Sequence, residues 1–245
     1  MLDADVRPDP MLAHRLLAAA QKLGAACVSV ALTQTLMPDR LSWLLHPAFL
    51  ATLVYRYGVP GRVTTQSSNM LVNGQTLLLR RDAVQHLDGL HAVARAVAED
   101  IAIGRRLARS GYRVAFLESI DRSFVTMYPD GKTLWRSWPR SLPATDEQPP
   151  WLTLLDFLLL LTTQAAWLPL LLLSWRQRSF RSLATVTTIL RLGMAIGMRR
   201  AYRPLRWWYW LAPLMDPLVV ARLLQEALVG TPTWRGRVIE RGKHA

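Results

Sequence analysis

Cysteine is almost absent from these 245 residues. Cys27 is the single one, so the chain forms no internal disulfide and no cysteine-ligated metal site. It sits in the apolar run 25–31, where a buried free thiol is the expected state. Lysine is nearly as scarce: Lys22, Lys132 and Lys243 are the only three among 30 basic residues. Acids number 17, which leaves a formal net charge of +13. Such a charge suits nucleic acid or an anionic membrane surface. Nucleic-acid modules interleave basic residues with aromatics on a soluble surface. Here the densest arginines flank apolar segments instead: Arg176, Arg178 and Arg181, then Arg199, Arg200, Arg203 and Arg206. The charge points to a membrane and to no nucleic acid. Internal repeats are missing as well.

The length allows one ordinary domain and a smaller appendage. Apolar residues make up 51% of the chain but are unevenly spread. Residues 1–148 read as a mixed soluble domain, 149–230 as a membrane-embedded helical region and 231–245 as a basic tail. Asp9 and Pro10 predict a helix over 11–23, with Asp9 as its cap. Residues 24–32 read as a buried strand, 71–79 as a second and 112–117 as a third. Helices are expected from Arg81 and over 99–110, stopping at Gly111. Alternation of this kind predicts an α/β domain. Residues 41–57 are apolar almost all round, are interrupted by Pro47 and are too short to span a bilayer, so they are buried or interfacial. After a proline-rich linker at 142–150, residues 151–175 are long and apolar enough for one span, with tryptophan at both ends. Two weaker candidates follow at 180–198, interrupted by Arg181 and Arg191, and at 207–229, which holds Asp216, Pro217 and Arg222. Charges are tolerated at membrane depth only when they face protein or water.

Four short motifs carry chemistry. Asp3-Ala4-Asp5 places two carboxylates two residues apart, as a solvated turn does, or as a site does that holds Mg²⁺ or Mn²⁺ against a diphosphate. Asn73-Gly74-Gln75 precedes Arg80-Arg81-Asp82. It is a structural turn, or a place where an acceptor approaches the backbone closely. Glu99-Asp100 opens a helix, where acids complement the dipole. A carboxylate there also suits a general base that takes a hydroxyl proton. Leu134-Trp135-Arg136-Ser137-Trp138-Pro139-Arg140 combines arginines that neutralise phosphate with tryptophans that pack on a sugar or anchor in an interface.

Read in order, these motifs resemble the family 2 glycosyltransferases over residues 2–141. The Met127-Tyr128 to Arg140 stretch and the tail Trp234-Arg235-Gly236-Arg237 look most like the carotenoid branch, with hopanoid and ceramide glycosyltransferases near. The resemblance implies a partial GT-A (nucleotide-diphospho-sugar transferase) domain followed by C-terminal membrane helices. It implies an inverting enzyme that moves a sugar, glucose in the first instance, from a nucleotide-sugar such as UDP-glucose to a lipid or isoprenoid hydroxyl at the cytoplasmic membrane, with the catalytic part facing the cytoplasm. Asp3 and Asp5 would hold Mg²⁺ or Mn²⁺, and Asp100, with Glu99 beside it, would be the catalytic base. Gly74, Gln75, Trp135, Arg136, Trp138 and Arg140 would meet acceptor and diphosphate. The segments 41–57 and 134–141 would then lie at the membrane surface beside the cleft. Processive relatives carry Gln-x-x-Arg-Trp where this chain has Leu134-Trp135-Arg136-Ser137-Trp138, so processive polymer synthesis is not expected. Only Met1 and Leu2 precede the acidic pair, which implies that the nucleotide-binding front half is missing and that this chain alone is inactive. The alternative is an inactive, membrane-anchored remnant or partner-binding subunit.

Overall fold

The computed structural model describes residues 1–67, 70–87, 89–93, 96, 98–119, 123–140, 142, 149–229, 233–234 and 237–238. In chain order the first elements are β1 (Val6–Arg7), α1 (Leu12–Leu23), β2 (Ala25–Ala31), β3 (Thr33–Gln34) and α2 (Arg40–Tyr57). They are followed by β4 (Arg62–Thr64), β5 (Leu77–Leu79), α3 (Arg81–His86), α4 (Glu99–Arg109), β6 (Arg113–Glu118), β7 (Phe124–Val125) and α5 (Gly131–Ser137). The C-terminal part holds α6 (Pro150–Leu159), α7 (Trp167–Arg176), α8 (Arg181–Met198), α9 (Asp216–Val229), β8 (Thr233–Trp234) and β9 (Arg237–Val238).

The main sheet has the order β4-β6-β2-β5. β2 is parallel to β6 and antiparallel to β5, so the sheet is mixed. Val28 and Val30 of β2 pack with Leu16 of α1 on one face. Cys27 packs with Ile103 and Leu107 of α4 on the other. Cover on both faces is why β2 is an unbroken small and apolar run. A smaller sheet, β1-β7-β3, continues the domain.

α2 is the hinge between this domain and the C-terminal helices. Leu45, Ala48 and Phe49 share a core with Leu134 and Trp138 on one side, and with Phe157, Leu160, Val219 and Leu223 on the other. A helix packed from several directions has no polar face to show, which explains its all-round apolar sequence. It runs straight through Pro47 instead of stopping there. Phe49 is 0% exposed and Trp138 6%, so neither ring faces a bilayer as the interfacial reading required.

Three further expectations change. The helix after Pro10 starts at Leu12, with Met11 as its cap residue. Asp9 instead closes the preceding turn, its Oδ1 accepting from the Met11 N–H at 2.8 Å. The strand expected over 71–79 is limited to Leu77–Leu79, because Asn73–Gln75 form a hydrogen-bonded turn. The segment 151–175 is not one straight helix. α6 and a π-helical stretch at Leu160–Ala165 meet α7 at a bend of 48°. Pro169 lies four residues after Ala165, and its ring leaves that carbonyl no N–H partner, a known cause of such breaks. No single helix among the described residues is long and apolar enough to cross a membrane, although this bent pair passes by length and composition.

The polar residues inside the apolar segments face one another. Asp216 Oδ1 accepts from Gln164 at 2.9 Å and from Arg191 Nη2 at 3.0 Å, while Oδ2 accepts from Trp167 Nε1 at 3.0 Å and from Arg191 Nε. Gln164 also donates to the Ala48 carbonyl of α2 at 2.8 Å. Asp156 pairs with Arg56 at 2.8 Å and Glu226 with Arg222 at 2.9 Å. The three candidate spans are thus one cluster, tied through a buried ion pair to α2.

Candidate functional site

The site is assembled around one turn. Ser29 sits in the middle of β2 with its side chain fully buried. Its Oγ donates to the Asn73 carbonyl at 2.9 Å and accepts from the Asn73 N–H at 2.7 Å. The Asn73 side chain then closes the turn: Oδ1 accepts from the Gln75 N–H at 3.1 Å, and Nδ2 donates to Gln75 Oε1 at 2.9 Å. Asparagine is common in such turns because its amide can stand in for backbone partners. Gly74 and Gln75 thereby follow a residue that is bonded through both its main chain and its side chain.

Two of the sequence-predicted acidic residues are bonded to this turn, Asp100 through its carboxylate and Asp3 through its backbone N–H. The Gly74 N–H donates to Asp100 Oδ2 at 2.6 Å. A Cβ at Gly74 would lie 3.1 Å from that oxygen and from Asp100 Cβ, so the glycine permits the approach. The Gln75 carbonyl accepts from the Asp3 N–H at 3.1 Å. Met1 and Leu77 exchange two backbone bonds, at 2.8 and 3.1 Å, so the run up to Asp3 lies beside β5 as an added edge. After Asp3 the chain reverses, with the Val6 N–H donating to the Asp3 carbonyl at 3.2 Å. Asp3, Gln75, Gly74 and Asp100 therefore form one hydrogen-bonded series.

Asp100 lies in the first turn of α4, where unsatisfied N–H groups favour an anion. Its Oδ1 accepts from the Ile101 N–H at 2.9 Å. Burial pushes the Asp100 carboxyl up, the bonds from Gly74, Ile101 and its own N–H pull it back, and the Glu99 charge adds a further upward push. A carboxyl held above its ordinary value is a better proton acceptor than an exposed one. Glu99, next to it, is exposed. α4 is held close to the turn by Gly104, where a Cβ would come within 2.5 Å of Val72 Cγ2.

The Asp3 carboxyl is also raised, first by partial burial and second by the charge of Asp5. The two carboxylates are therefore near enough to repel, a situation that a bound cation relieves. Among the described residues no group of three or more acidic, histidine or cysteine side chains surrounds a common point. Among the described residues, Asp3 and Asp5 are the candidate pair of ligands. That donor set fits Mg²⁺ or Mn²⁺, which take hard oxygen ligands and, in the case of Mg²⁺, complete the shell with substrate phosphate and water.

The remaining predicted residues lie on or after α5. Asp130 caps this helix, accepting from the Thr133 N–H at 2.8 Å. Trp135 is half-buried against Phe49, and Arg222 lies over its ring at 6.0 Å. Trp138 stacks on His46 at 4.4 Å and packs against Phe49 and Tyr128, a core position with little open ring face. Arg136 is exposed on α5. The Arg140 side chain lies outside the described residues. Ser29 was not among the sequence candidates. The signal for it was present: a lone hydroxyl in an apolar strand has to find a partner.

The family model described as glycosyl transferase family group 2 matches residues 1–222. No curated protein and no solved structure matches the chain.

Proposed function

This chain belongs to glycosyl transferase family group 2, and on that premise we propose that it transfers a sugar from a nucleotide-sugar to the hydroxyl of a lipid or isoprenoid acceptor at the cytoplasmic membrane. The observation that carries this reading is the short series from Asp3 through Gln75 and Gly74 to Asp100. On this reading the residues proposed to hold the cation and the proposed proton acceptor are joined through one hydrogen-bonded turn. Donor and acceptor ends of a transfer reaction need that relation.

In the proposed reaction the acceptor oxygen attacks the anomeric carbon in a single displacement with inversion. The bond from that carbon to the diphosphate oxygen breaks, and its electron pair leaves with the nucleoside diphosphate. The hydroxyl proton passes to Asp100. Asp3 and Asp5 would hold Mg²⁺ or Mn²⁺, which neutralises charge on the departing diphosphate. Glu99 raises the basicity of Asp100 through its charge. Arg136, exposed near the end of α5, is the proposed contact to phosphate oxygens, and Trp135 the proposed contact to the acceptor.

A membrane acceptor is supported by the outer surface of the C-terminal helices. Trp151 and Trp175 are 61% and 77% exposed, and Ile189 and Leu190 of α8 are exposed to similar extents. An apolar surface of this breadth marks an interaction with lipid or protein. Glucose and a carotenoid-like acceptor follow the sequence resemblance. The test is transfer of label from UDP-glucose, with Mn²⁺, into an isoprenoid and polar lipid extract by membranes of cells that express the protein from its own gene. Label in a lipid product, lost on Asp100→Asn, supports the proposal. Label in a water-soluble glycan, with none in lipid, overturns the acceptor assignment.

A further inference from the structure

Ser29 lies outside every motif that the proposed reaction uses, yet it is the group on which the site's central turn rests. It stands at the middle of β2, a strand bonded to β6 on one side and β5 on the other, and the strand's other buried positions are small or apolar. A hydroxyl has one proton to donate and lone pairs to accept. Ser29 uses both on one residue, giving its proton to the Asn73 carbonyl and receiving the Asn73 N–H. Those two bonds fix the peptide groups on either side of the Asn73 Cα. The second of these peptides also carries the Gly74 N–H that Asp100 accepts, and the one that follows Gln75 carries the carbonyl that the Asp3 N–H meets. Asn73 Nδ2 adds a long contact to the Val30 carbonyl at 3.4 Å, so the turn is tied to β2 at two successive residues.

The geometry points to Ser29 as a positioning residue for glycosyl transfer, whose hydroxyl sets the distance between the proton acceptor Asp100 and the carboxylate pair at Asp3. This rests on the transferase reading above. Ser29 touches neither donor nor acceptor and acts through Asn73. An alanine there would leave the Asn73 N–H without the Ser29 acceptor and the Asn73 carbonyl with only the long bond from the Thr76 N–H at 3.4 Å.

Three variants of the full chain test this: Ser29→Ala, Cys27→Ala and Asp100→Asn. Cys27 is two residues away on the same strand, equally buried and no part of the Ser29–Asn73 bonds, so its variant reports what a small void beneath α4 does by itself. Hydrogen exchange is read at the Gly74 and Gln75 amides, and turnover as UDP released from UDP-glucose with Mn²⁺. In Ser29→Ala, exchange at both amides should quicken by roughly tenfold or more, as local opening becomes easier. Turnover should fall by about 10–10²-fold with donor KM little changed, because a misplacement of about 1 Å costs roughly 10²-fold. Cys27→Ala should alter neither reading. Native exchange at Gly74 and Gln75 in Ser29→Ala overturns the clamp whatever the activity. Quickened exchange with native turnover, while Asp100→Asn is inactive, overturns the positioning role. Native turnover in Asp100→Asn would instead refute the base assignment and leave the clamp to be judged by exchange.

Discussion

Replacing Gly74 by alanine keeps the N–H that Asp100 accepts and adds a single methyl group. That methyl would lie 3.1 Å from both Asp100 Cβ and Oδ2, and 3.3 Å from Cγ. Ordinary contact between such atoms begins near 3.4 Å, so the carboxylate must retreat by a few tenths of an ångström. With a displacement of about 1 Å costing roughly 10²-fold, the expected loss in turnover is severalfold. Folding should hardly notice. Gly74 is not among the glycines with positive φ, so alanine meets no backbone strain there. The reduced freedom of the unfolded chain contributes about 0.4–1 kcal/mol in its favour, which offsets part of the crowding. The assay pairs UDP release from UDP-glucose with thermal unfolding of the same preparation. A severalfold slower enzyme with a nearly unchanged melting temperature is the expected result. Turnover within about twofold of native would mean that the distance from Gly74 to Asp100 does not govern the chemical step.

Asp100→Asn keeps the shape of the side chain and removes the proton acceptor, so turnover should fall by about 10²–10⁴-fold while donor binding persists. Because burial raises the Asp100 carboxyl, activity should rise with pH through a value above the ordinary carboxylate range, fall away below it, and lose that limb in the asparagine variant. A pH–rate profile unaltered by the substitution would rule Asp100 out. Asp5→Ala and Asp3→Ala should each slow transfer by orders of magnitude, Asp5→Ala the more severely, and a chelator should abolish it in the native chain; metal-independent transfer in both variants would remove the carboxylate pair from the mechanism. Arg191→Met leaves Asp216 buried with only Gln164 and Trp167 as partners, which should destabilise the chain by about 3–5 kcal/mol. Adding Asp216→Leu should restore much of that loss in a thermal melt, whereas equal melting of native and single variant would show the pair to be energetically idle.

The amino-acid order determined much of this protein at the level of elements. Residues 24–32 read as a buried strand and 25–31 are one, the helices at Arg81 and Glu99 began where their sequence placed them, and α8 fell within one residue of the 180–198 segment. Candidate roles for the motifs could be stated from the order alone, because acidic pairs and helix-opening carboxylates carry their possible roles in residue type and spacing. What the order could not supply was which polar groups would meet. Ser29 and Asn73 are 44 residues apart, Gly74 and Asp100 are 26 apart, and Gln164 and Asp216 are 52 apart. Contacts at such separations are decided by how helices and strands pack, and local propensity says nothing about them. The same reason explains the two largest departures. A tryptophan is equally suited to a core or to a membrane interface, and only the packing of α5 on α2 placed Trp138 inside. An apolar stretch of 25 residues is equally suited to one straight span or to a bent pair, and the choice fell to Pro169 and to Gln164, whose amide is held by α2 and Asp216.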